Sequence, residues 1–389
     1  MSENENRNVT PIRPVQEPER SRPQRKLILL AVLMLLLILF VCLLLVFGWR
    51  NPGFLSGGSA APEDVFYQID EGRANVYAAC RNTLAAVTDS GLTVYDASGE
   101  ALGTAAHVYA APLLRTGNRL VIACDVGGTR LTVMDENGTT VLDRKSEGTL
   151  LDADLSAGDA VCCAELGRDD KTVLTVYGKK QNQIYRWYSG TRYFNQCAVS
   201  EDASWLCAAA LSGGSGSFES RAVLFRTDQE DPAAEISLGS QLIRELRFLN
   251  EDTVCAIGES CVLCFTTGGE ILGTYDYPEG SFRDFAVSRD GLIVLLLRDS
   301  AAGGESTLVS LDQNAGMLAE RGIGEEILSL SAAGSRCAVL TPSGLAVYDE
   351  TLTLCASAET QDDASAAVLL DDGSAILIGG GAGRLWLPG

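Results

Sequence analysis

One short phrase recurs along this chain and limits what it can fold into. It reads LTVYDASGE at 92–100, LTVMDENGT at 131–139 and LAVYDETLT at 345–353. The first half alternates between the two faces of a β-strand, and the second half supplies the Asp and Gly residues that turns need. A strand-and-turn phrase that recurs in this way indicates a fold that grows by repeating one structural unit.

A more uniformly apolar run precedes each copy of the phrase, as in RLVIAC from 119, TVCAIG from 253 and LIVLLL from 292. Continuous apolarity over about six residues indicates a strand that is buried on both faces. Another strand with a polar turn comes before each run, and a fourth strand, such as ALGTAA at 101–106, follows the phrase. The whole unit recurs roughly every 40 residues, which is the period of a four-stranded propeller blade.

The number of apolar runs predicts eight blades, with seven as the alternative if one weak unit merges with a neighbour. The last unit contains only three strands before Gly389, whereas VFYQI at 65–69 is a strand without a blade of its own. Pairing these two ends would close the ring and cover both exposed edges. We therefore predict an all-β, eight-bladed β-propeller over residues 63–389.

The pattern Ser288-Arg289-Asp290-Gly291, followed by an apolar strand, resembles the repeats of bacterial WD40-like and quinoprotein-like propellers. The plan of residues 27–389 resembles a family of bacterial single-pass membrane proteins of unknown function with an extracytoplasmic propeller of this kind. The resemblance implies a fold and a location in the cell, and it implies no ligand. The chain has no Trp-Asp dipeptide, so it departs from typical WD40 proteins.

A run of 21 residues at 27–47, LILLAVLMLLLILFVCLLLVF, contains no charge, proline or glycine. At a rise of ~1.5 Å per residue it spans ~30 Å, the thickness of a bilayer core. We predict a transmembrane helix at 27–48, after a disordered tail at 1–26 and before a flexible Gly/Ser-rich linker at 49–62. A cleaved signal peptide is the alternative, but its apolar run is usually shorter.

Positive charge is concentrated before the predicted helix. Arg20, Arg22, Arg25 and Lys26 precede it, and Arg50 alone follows closely. Because basic flanks remain in the cytoplasm, we predict a single-pass cell-membrane protein with a cytoplasmic N-terminus and an extracytoplasmic C-terminal domain.

The charge and the scarcity of histidine exclude several classes of function. The formal net charge is −21, whereas nucleic-acid binding needs a basic face. His107 is the only histidine, so the chain cannot form a two-histidine metal site or most His-dependent nucleophilic sites. Only three tryptophans, Trp187, Trp205 and Trp386, lie in the predicted propeller, which argues against a quinone cofactor in its channel. We therefore predict no metal, no cofactor and no catalytic residues.

The chain has 12 cysteines, but their spacing follows the blades rather than a disulfide framework. Six of them fall in the apolar second strands, where a thiol acts as a small hydrophobic side chain: Cys124, Cys162, Cys163, Cys207, Cys255 and Cys337. The CxxC spacing of Cys261 and Cys264 lies within a predicted third strand, where the two side chains point to opposite faces, so it does not indicate a zinc site.

The strongest candidate for a recognition surface is the aromatic-rich stretch YRWYSGTRYF at 185–194. It lies between two predicted blades, on the same face as a long predicted loop, SGGSGSFES at 212–220. Aromatic and arginine side chains beside a flexible loop are typical of binding surfaces. The candidate binding residues are Trp187, Tyr188, Arg192, Tyr193 and Phe218. In the alternative interpretation, about half of the aromatic side chains point inward and pack between blades.

Two hypotheses for function follow. In the first, the chain is a membrane-anchored, extracytoplasmic propeller that binds a protein, peptide or glycan, or acts as a scaffold, without catalysis. In the second, it is an exported enzyme, of the hydrolase or lyase type, that uses carboxylates in the central channel. The enzyme hypothesis predicts inward carboxylates with raised pKa, and the binding hypothesis predicts an apolar and aromatic patch on one rim.

Overall fold

A computed structural model describes residues 65–388, apart from 71, 73, 215–216, 299–304 and 360–362. Within this part, the chain forms eight four-stranded antiparallel sheets. The prediction of an all-β, eight-bladed propeller is therefore confirmed, and the seven-bladed alternative is wrong.

The described part begins with β1 (Phe66–Gln68), which precedes the first blade. Blade 1 comprises β2 (Val76–Cys80), β3 (Thr83–Thr88), β4 (Gly91–Tyr95) and β5 (Ala101–Ala105), and blade 2 comprises β6 (Pro112–Thr116), β7 (Leu120–Asp125), β8 (Arg130–Asp135) and β9 (Thr140–Lys145). Blade 3 comprises β10 (Leu150–Leu155), β11 (Val161–Glu165), β12 (Thr172–Tyr177) and β13 (Gln183–Ser189), and blade 4 comprises β14 (Tyr193–Val199), β15 (Trp205–Gly214), β16 (Ser217–Arg226) and β17 (Pro232–Ser237).

Blade 5 comprises β18 (Ile243–Phe248), β19 (Thr253–Gly258), β20 (Cys261–Thr266) and β21 (Ile271–Asp276), and blade 6 comprises β22 (Phe282–Val287), β23 (Ile293–Arg298), β24 (Ser306–Leu311) and β25 (Met317–Ile323). Blade 7 comprises β26 (Ser329–Ala333), β27 (Arg336–Thr341), β28 (Gly344–Asp349) and β29 (Leu354–Glu359), and blade 8 comprises β30 (Ala366–Leu369), β31 (Ala375–Gly379) and β32 (Ala382–Trp386). Blade 8 takes its fourth strand from β1.

Closure of the ring by β1 was predicted from the sequence and is confirmed. β1 pairs antiparallel with β32, so that Phe66 lies opposite Arg384 and Tyr67 lies opposite Gly383. The Tyr67 side chain is fully buried and contacts the ring of Tyr95 in blade 1, with 6.1 Å between ring centroids. The N-terminal strand therefore completes the last blade and also packs against the first.

The apolar second strands lie in the core, as their composition predicted. β3, β7, β11 and β19 are almost wholly buried. Among the described residues, eight clusters of apolar side chains each join one blade to the next around the ring. The six cysteines predicted to fill these strands are all buried. Small thiol and alanine side chains suit the narrow space between sheets.

The repeated turns share one hydrogen-bond pattern. Oδ1 of Asp96 accepts the backbone N–H groups of Ser98, at 2.8 Å, and Glu100, at 2.9 Å. Equivalent pairs of bonds form at Asp135, Asp312 and Asp349. At Asp96, hydrogen bonds led by that from the Ser98 hydroxyl lower the pKa of the carboxyl. The aspartate of the phrase therefore stabilises a turn, as predicted, because it accepts the amides that the turn exposes.

The first strand of each blade lies innermost. These strands contact one another around much of the ring, through pairs such as β2 with β6, β10 with β14 and β26 with β30. They also line the central channel. The predicted tail at 1–26, helix at 27–48 and linker at 49–62 lie outside the described residues. Among those that are described, no helix is long and apolar enough to cross a membrane.

Candidate functional site

Blade 4 differs from its neighbours in having a long central hairpin. β15 and β16 have 10 residues each, against five or six in the second and third strands of the other blades. Their pairing continues beyond the rest of the sheet, to Gly213 opposite Phe218 and Gly214 opposite Ser217. Much of the predicted flexible loop at 212–220 is therefore strand, because β15 and β16 remain paired beyond the ends of β14 and β17.

Three apolar side chains are exposed near the end of this hairpin. Tyr193, at the start of β14, lies opposite Leu211 of β15, and Phe218 lies opposite Gly213, two residues further along β15. The exposed fractions are 52% for Tyr193 and 41% for Phe218. Leu211 and Gly213 share a face because strand side chains alternate, so Phe218 is a diagonal neighbour of Leu211. We call Tyr193, Leu211 and Phe218 the hairpin patch.

Of the five predicted binding residues, Trp187 is packed among aromatic rings and Arg192 is held in an ion pair. The Trp187 ring packs between blades 3 and 4, with its centroid 5.9 Å from that of Phe194 and 4.8 Å from that of Phe225. Arg192 forms an ion pair with Glu235 at 2.6 Å. The interpretation in which part of the aromatic stretch packs between blades therefore describes Trp187 correctly.

Tyr188 and Tyr193 each lie beside a cation. Tyr188, on the outermost strand of blade 3, is 54% exposed, and the guanidinium of Arg186 lies 5.4 Å from its ring centroid. Nζ of Lys171 lies 5.0 Å from the centroid of Tyr193. The structure thus places Tyr193 of β14 beside the hairpin that carries Phe218 and leaves Tyr188 on the neighbouring blade.

The central channel forms a second candidate site. It contains a cavity of about 600 Å³, within the ~300–1,000 Å³ of typical ligand pockets. The innermost strands of all eight blades contribute to its wall. The charged side chains in this wall are Arg115, Asp154, Arg247, Asp284, Arg289 and Asp371.

A buried network of charges adjoins the cavity. Arg115 of blade 2 forms an ion pair with Glu245 of blade 5. Arg247 of the same strand as Glu245 lies 2.7 Å from Glu245 and 3.9 Å from Asp154 of blade 3. Glu245 and Asp154 are almost completely buried. We call Arg115, Asp152, Asp154, Glu245 and Arg247 the channel network.

The two aspartates of this network bind backbone amides of the next blade. Oδ2 of Asp152 accepts the N–H of Cys197 at 2.8 Å, and Oδ2 of Asp154 accepts the N–H of Val199 at 3.2 Å. The Oδ1 atom of each aspartate is buried and has no hydrogen-bond partner. Loss of water on burial raises the pKa of Asp152 to about 7 and also raises the pKa of Asp154.

The channel network was not identified from the sequence. Its members lie in segments such as LLDADL at 150–155 and IRELRF at 243–248, where charged residues interrupt strands that would otherwise be apolar. That interruption was the available signal, because a charge on an inner strand needs a partner. The partner of Arg115, however, is 130 residues away in the sequence.

The described residues contain no group of three or more His, Cys, Asp or Glu side chains placed to hold a metal ion. In the CxxC segment, Cys261 is partly exposed and Cys264 is buried, and both lie in the third strand of blade 5 as predicted. The channel aspartates are therefore better described as parts of an ion-pair and hydrogen-bond network than as metal ligands.

Comparisons with known proteins agree with this fold. The crystal structure of the C-terminal WD40 domain of Sif2 superposes with a TM-score of 0.58 and 12% identity, covering 84% of this chain and 99% of that one. At this identity the likeness concerns the fold alone, and it confirms a WD40-like propeller. The β-propeller domain of Myceliophteria thermophila Cps50 (Swd1) is less similar, with a TM-score of 0.47 and 10% identity over 70% of this chain and 94% of that one.

Among curated proteins, none matches this chain in sequence. A family model, in contrast, matches residues 65–378, which is most of the propeller. The chain belongs to the family of unknown function DUF5711.

Proposed function

We propose that this protein is a non-catalytic binding or scaffold module, anchored in the membrane of a bacterial cell, whose extracytoplasmic propeller recognises a protein, peptide or glycan. The hairpin patch carries the proposal. A hairpin that extends beyond the other strands of its sheet, with an exposed phenylalanine on it and an exposed tyrosine on the strand beside it, is a suitable contact surface, because aromatic side chains dominate the energetics of many interfaces.

The cellular location in this proposal rests on the sequence. The apolar run at 27–47 is long enough to span a bilayer, and the basic residues before it favour a cytoplasmic N-terminus. The net charge of −21 argues against nucleic acid as the partner. The predicted linker at 49–62 would give the propeller some reach from the membrane surface.

An exported enzyme that uses channel carboxylates is the second candidate. One observation favours it, since burial raises the pKa of Asp152, Asp154 and Asp284. Two of these groups have a structural explanation, because each holds a backbone amide of blade 4. Both are also almost completely buried, so they offer a substrate little access. The binding role therefore accounts for more of the structure.

The proposal can be tested by cross-linking on intact cells with a membrane-impermeant reagent, followed by purification of the full chain and mass spectrometry. We expect partners captured by the native chain to fall by at least ~10-fold for Phe218→Ser, since interface aromatic residues often contribute ~2 kcal/mol or more. Leu354→Ser is the matched control, because Leu354 is 47% exposed on the outermost strand of blade 7.

Three outcomes separate the parts of the proposal. Capture lost with Phe218→Ser and kept with Leu354→Ser supports recognition through the hairpin patch. Equal capture by all three chains would show that the patch is not the contact surface. If cross-links form only after the cells are lysed, the extracytoplasmic location is wrong.

A further inference from the structure

The central cavity carries an inference that is independent of the hairpin patch. Its volume of about 600 Å³ suits a small organic ligand, and charged and aromatic side chains lie in the same wall. The chemistry of the wall also indicates which charge that ligand carries.

The charges in and behind the wall do not balance. The guanidinium groups of the wall are all engaged: Arg115 and Arg247 pair with Glu245, and Arg289 pairs with Asp371 at 3.2 Å. The wall itself holds three carboxylates, Asp154, Asp284 and Asp371, and the buried Glu245 lies behind it, so that the carboxylates outnumber the guanidinium groups by one. Such a surplus attracts a cation and repels an anion.

Asp284 of blade 6 is the accessible carboxylate without a compensating cation. Its side chain accepts a hydrogen bond from the backbone N–H of Phe285 at 2.8 Å, and among the described residues it has no ion-pair partner. Asp284 is exposed and lies in the cavity wall, so a ligand in the cavity can reach it. Partial loss of water raises the pKa of the carboxyl.

Asp154 provides a second observation. Asp154 of blade 3 lies in the same wall, is 2% exposed, and has an Oδ1 atom without a hydrogen-bond donor. The nearest cation, Arg247, is 3.9 Å away and is shared with Glu245. A carboxylate that is buried with one oxygen unsatisfied is costly, so additional positive charge in the cavity would stabilise it.

We propose that the central cavity binds a small organic cation that carries ammonium or guanidinium groups, with Asp284 as its contacting carboxylate. Phe248 and Phe285 also line the cavity and provide apolar surface for the carbon skeleton of such a ligand. Aromatic rings within ~6 Å of a cation add to its attraction. A bare metal ion fits less well, because the described residues contain no metal-binding group of carboxylates.

The proposal can be tested with three four-carbon compounds that differ in charge: 1,4-diaminobutane, 1,4-butanediol and succinate. The full chain in a non-ionic detergent would be titrated by isothermal calorimetry, with thermal unfolding measured in parallel. We expect saturable binding and a raised Tm for the diamine only, since a ligand that binds the folded state stabilises it.

The matched variants are Asp284→Asn and Asp276→Asn, since Asp276 is exposed on the outermost strand of blade 5 and lies outside the cavity wall. We expect Asp284→Asn to weaken diamine binding by at least ~10-fold, the loss of one favourable charge contact, and Asp276→Asn to leave it unchanged. Because Asp284 is accessible and forms no ion pair, we expect the variant to fold, and its urea midpoint would verify this.

A pH series provides a second measurement on the native chain. Diamine affinity should decrease as the pH falls, because Asp284 takes up a proton, as do Asp154 in the same wall and Asp152 behind it, whose pKa values are also raised. Equal affinity of Asp284→Asn and Asp276→Asn, binding of succinate or butanediol as tight as that of the diamine, or no saturable binding of the diamine would each overturn the proposal.

Discussion

The junction between blades 3 and 4 lies opposite the junction between blades 7 and 8 in the ring. The two junctions differ in the side chains that accept the backbone amides of an innermost strand. An innermost strand has backbone amides on its free edge that need acceptors. At the first junction, Asp152 and Asp154 of β10 accept the amides of Cys197 and Val199.

At the second junction, the same role falls to hydroxyl groups. Oγ of Ser329 in β26 accepts the N–H of Ala367 at 3.1 Å, and Oγ of Ser331 accepts the N–H of Leu369 at 3.0 Å. The spacing of two residues on each strand is the same as at the first junction. A neutral side chain is therefore sufficient to join neighbouring innermost strands in this fold.

The comparison shows that a carboxylate acceptor adds contacts between blades but needs a cation to compensate its charge. The serines need no further partner, whereas Asp154 depends on Arg247 from blade 5, which in turn shares Glu245 with Arg115 from blade 2. The charged side of the channel therefore ties blades 2 to 5 together through one network. A buried network of this kind is sensitive to loss of a single member, because each remaining charge stays buried without compensation.

The largest effect is expected from Arg247→Met. Removal of the guanidinium leaves Glu245 and Asp154 buried with less compensation, which typically costs about 3–5 kcal/mol for a buried pair. We expect the free energy of unfolding of the propeller to fall by that amount. It can be measured by urea denaturation of the full chain, followed by tryptophan fluorescence.

Arg244→Met is the control on the same strand. Arg244 pairs with Glu259 at 2.6 Å, but both side chains are close to half exposed. Exposed ion pairs contribute less than about 1 kcal/mol. Similar losses for the two variants would show that the channel network has no special role in stability.

A smaller effect is expected from pH. The pKa of Asp152 is about 7 in the folded chain, against an ordinary value of 3.8. Between these values the folded protein holds a proton that the unfolded chain has released. This group's contribution to stability is therefore complete below about pH 4 and is lost as the pH rises through about 7, opposite to the usual behaviour of a carboxylate.

Asp152→Asn removes this titration and keeps a side-chain oxygen that can accept the amide of Cys197. We expect the free energy of unfolding of the native chain, minus that of Asp152→Asn, to decrease as the pH is raised from about 4 to about 7. Ser329→Ala should follow the pH dependence of the native chain, because no charge is involved. A difference between Asp152→Asn and the native chain that is constant with pH would contradict the raised pKa.

The architecture could be predicted because its signals are local and repeated. The turn aspartates, such as Asp96 and Asp349, make the hydrogen bonds that their spacing to the following residues predicts. Closure by β1 could also be predicted, because an incomplete last unit and an unassigned first strand leave two edges that need a partner.

The site was less predictable because its contacts form only when the ring closes. Nothing within 112–116 shows that Arg115 will meet Glu245, since the two strands belong to different blades. In the aromatic stretch, the alternation of a strand predicts that some side chains point inward, but not which. Trp187 is packed against Phe225 and Tyr193 is exposed, and the pairing that decides this is made with other strands.

The smallest effect distinguishes a coupled network from independent contacts. Ser329→Ala removes the hydroxyl acceptor of the Ala367 amide and should cost about 1 kcal/mol, the net value of one hydrogen bond. Combined with Arg247→Met, its cost should be additive within ~0.5 kcal/mol, because the two sites share no partner.

Asp154→Asn combined with Arg247→Met should deviate from additivity by ~0.5–3 kcal/mol, because the first change removes the carboxylate charge that the second leaves uncompensated. Four urea denaturation curves for each pair give the coupling energies. Equal coupling in the two cycles would mean that the carboxylates join their blades as the serines do, one amide at a time.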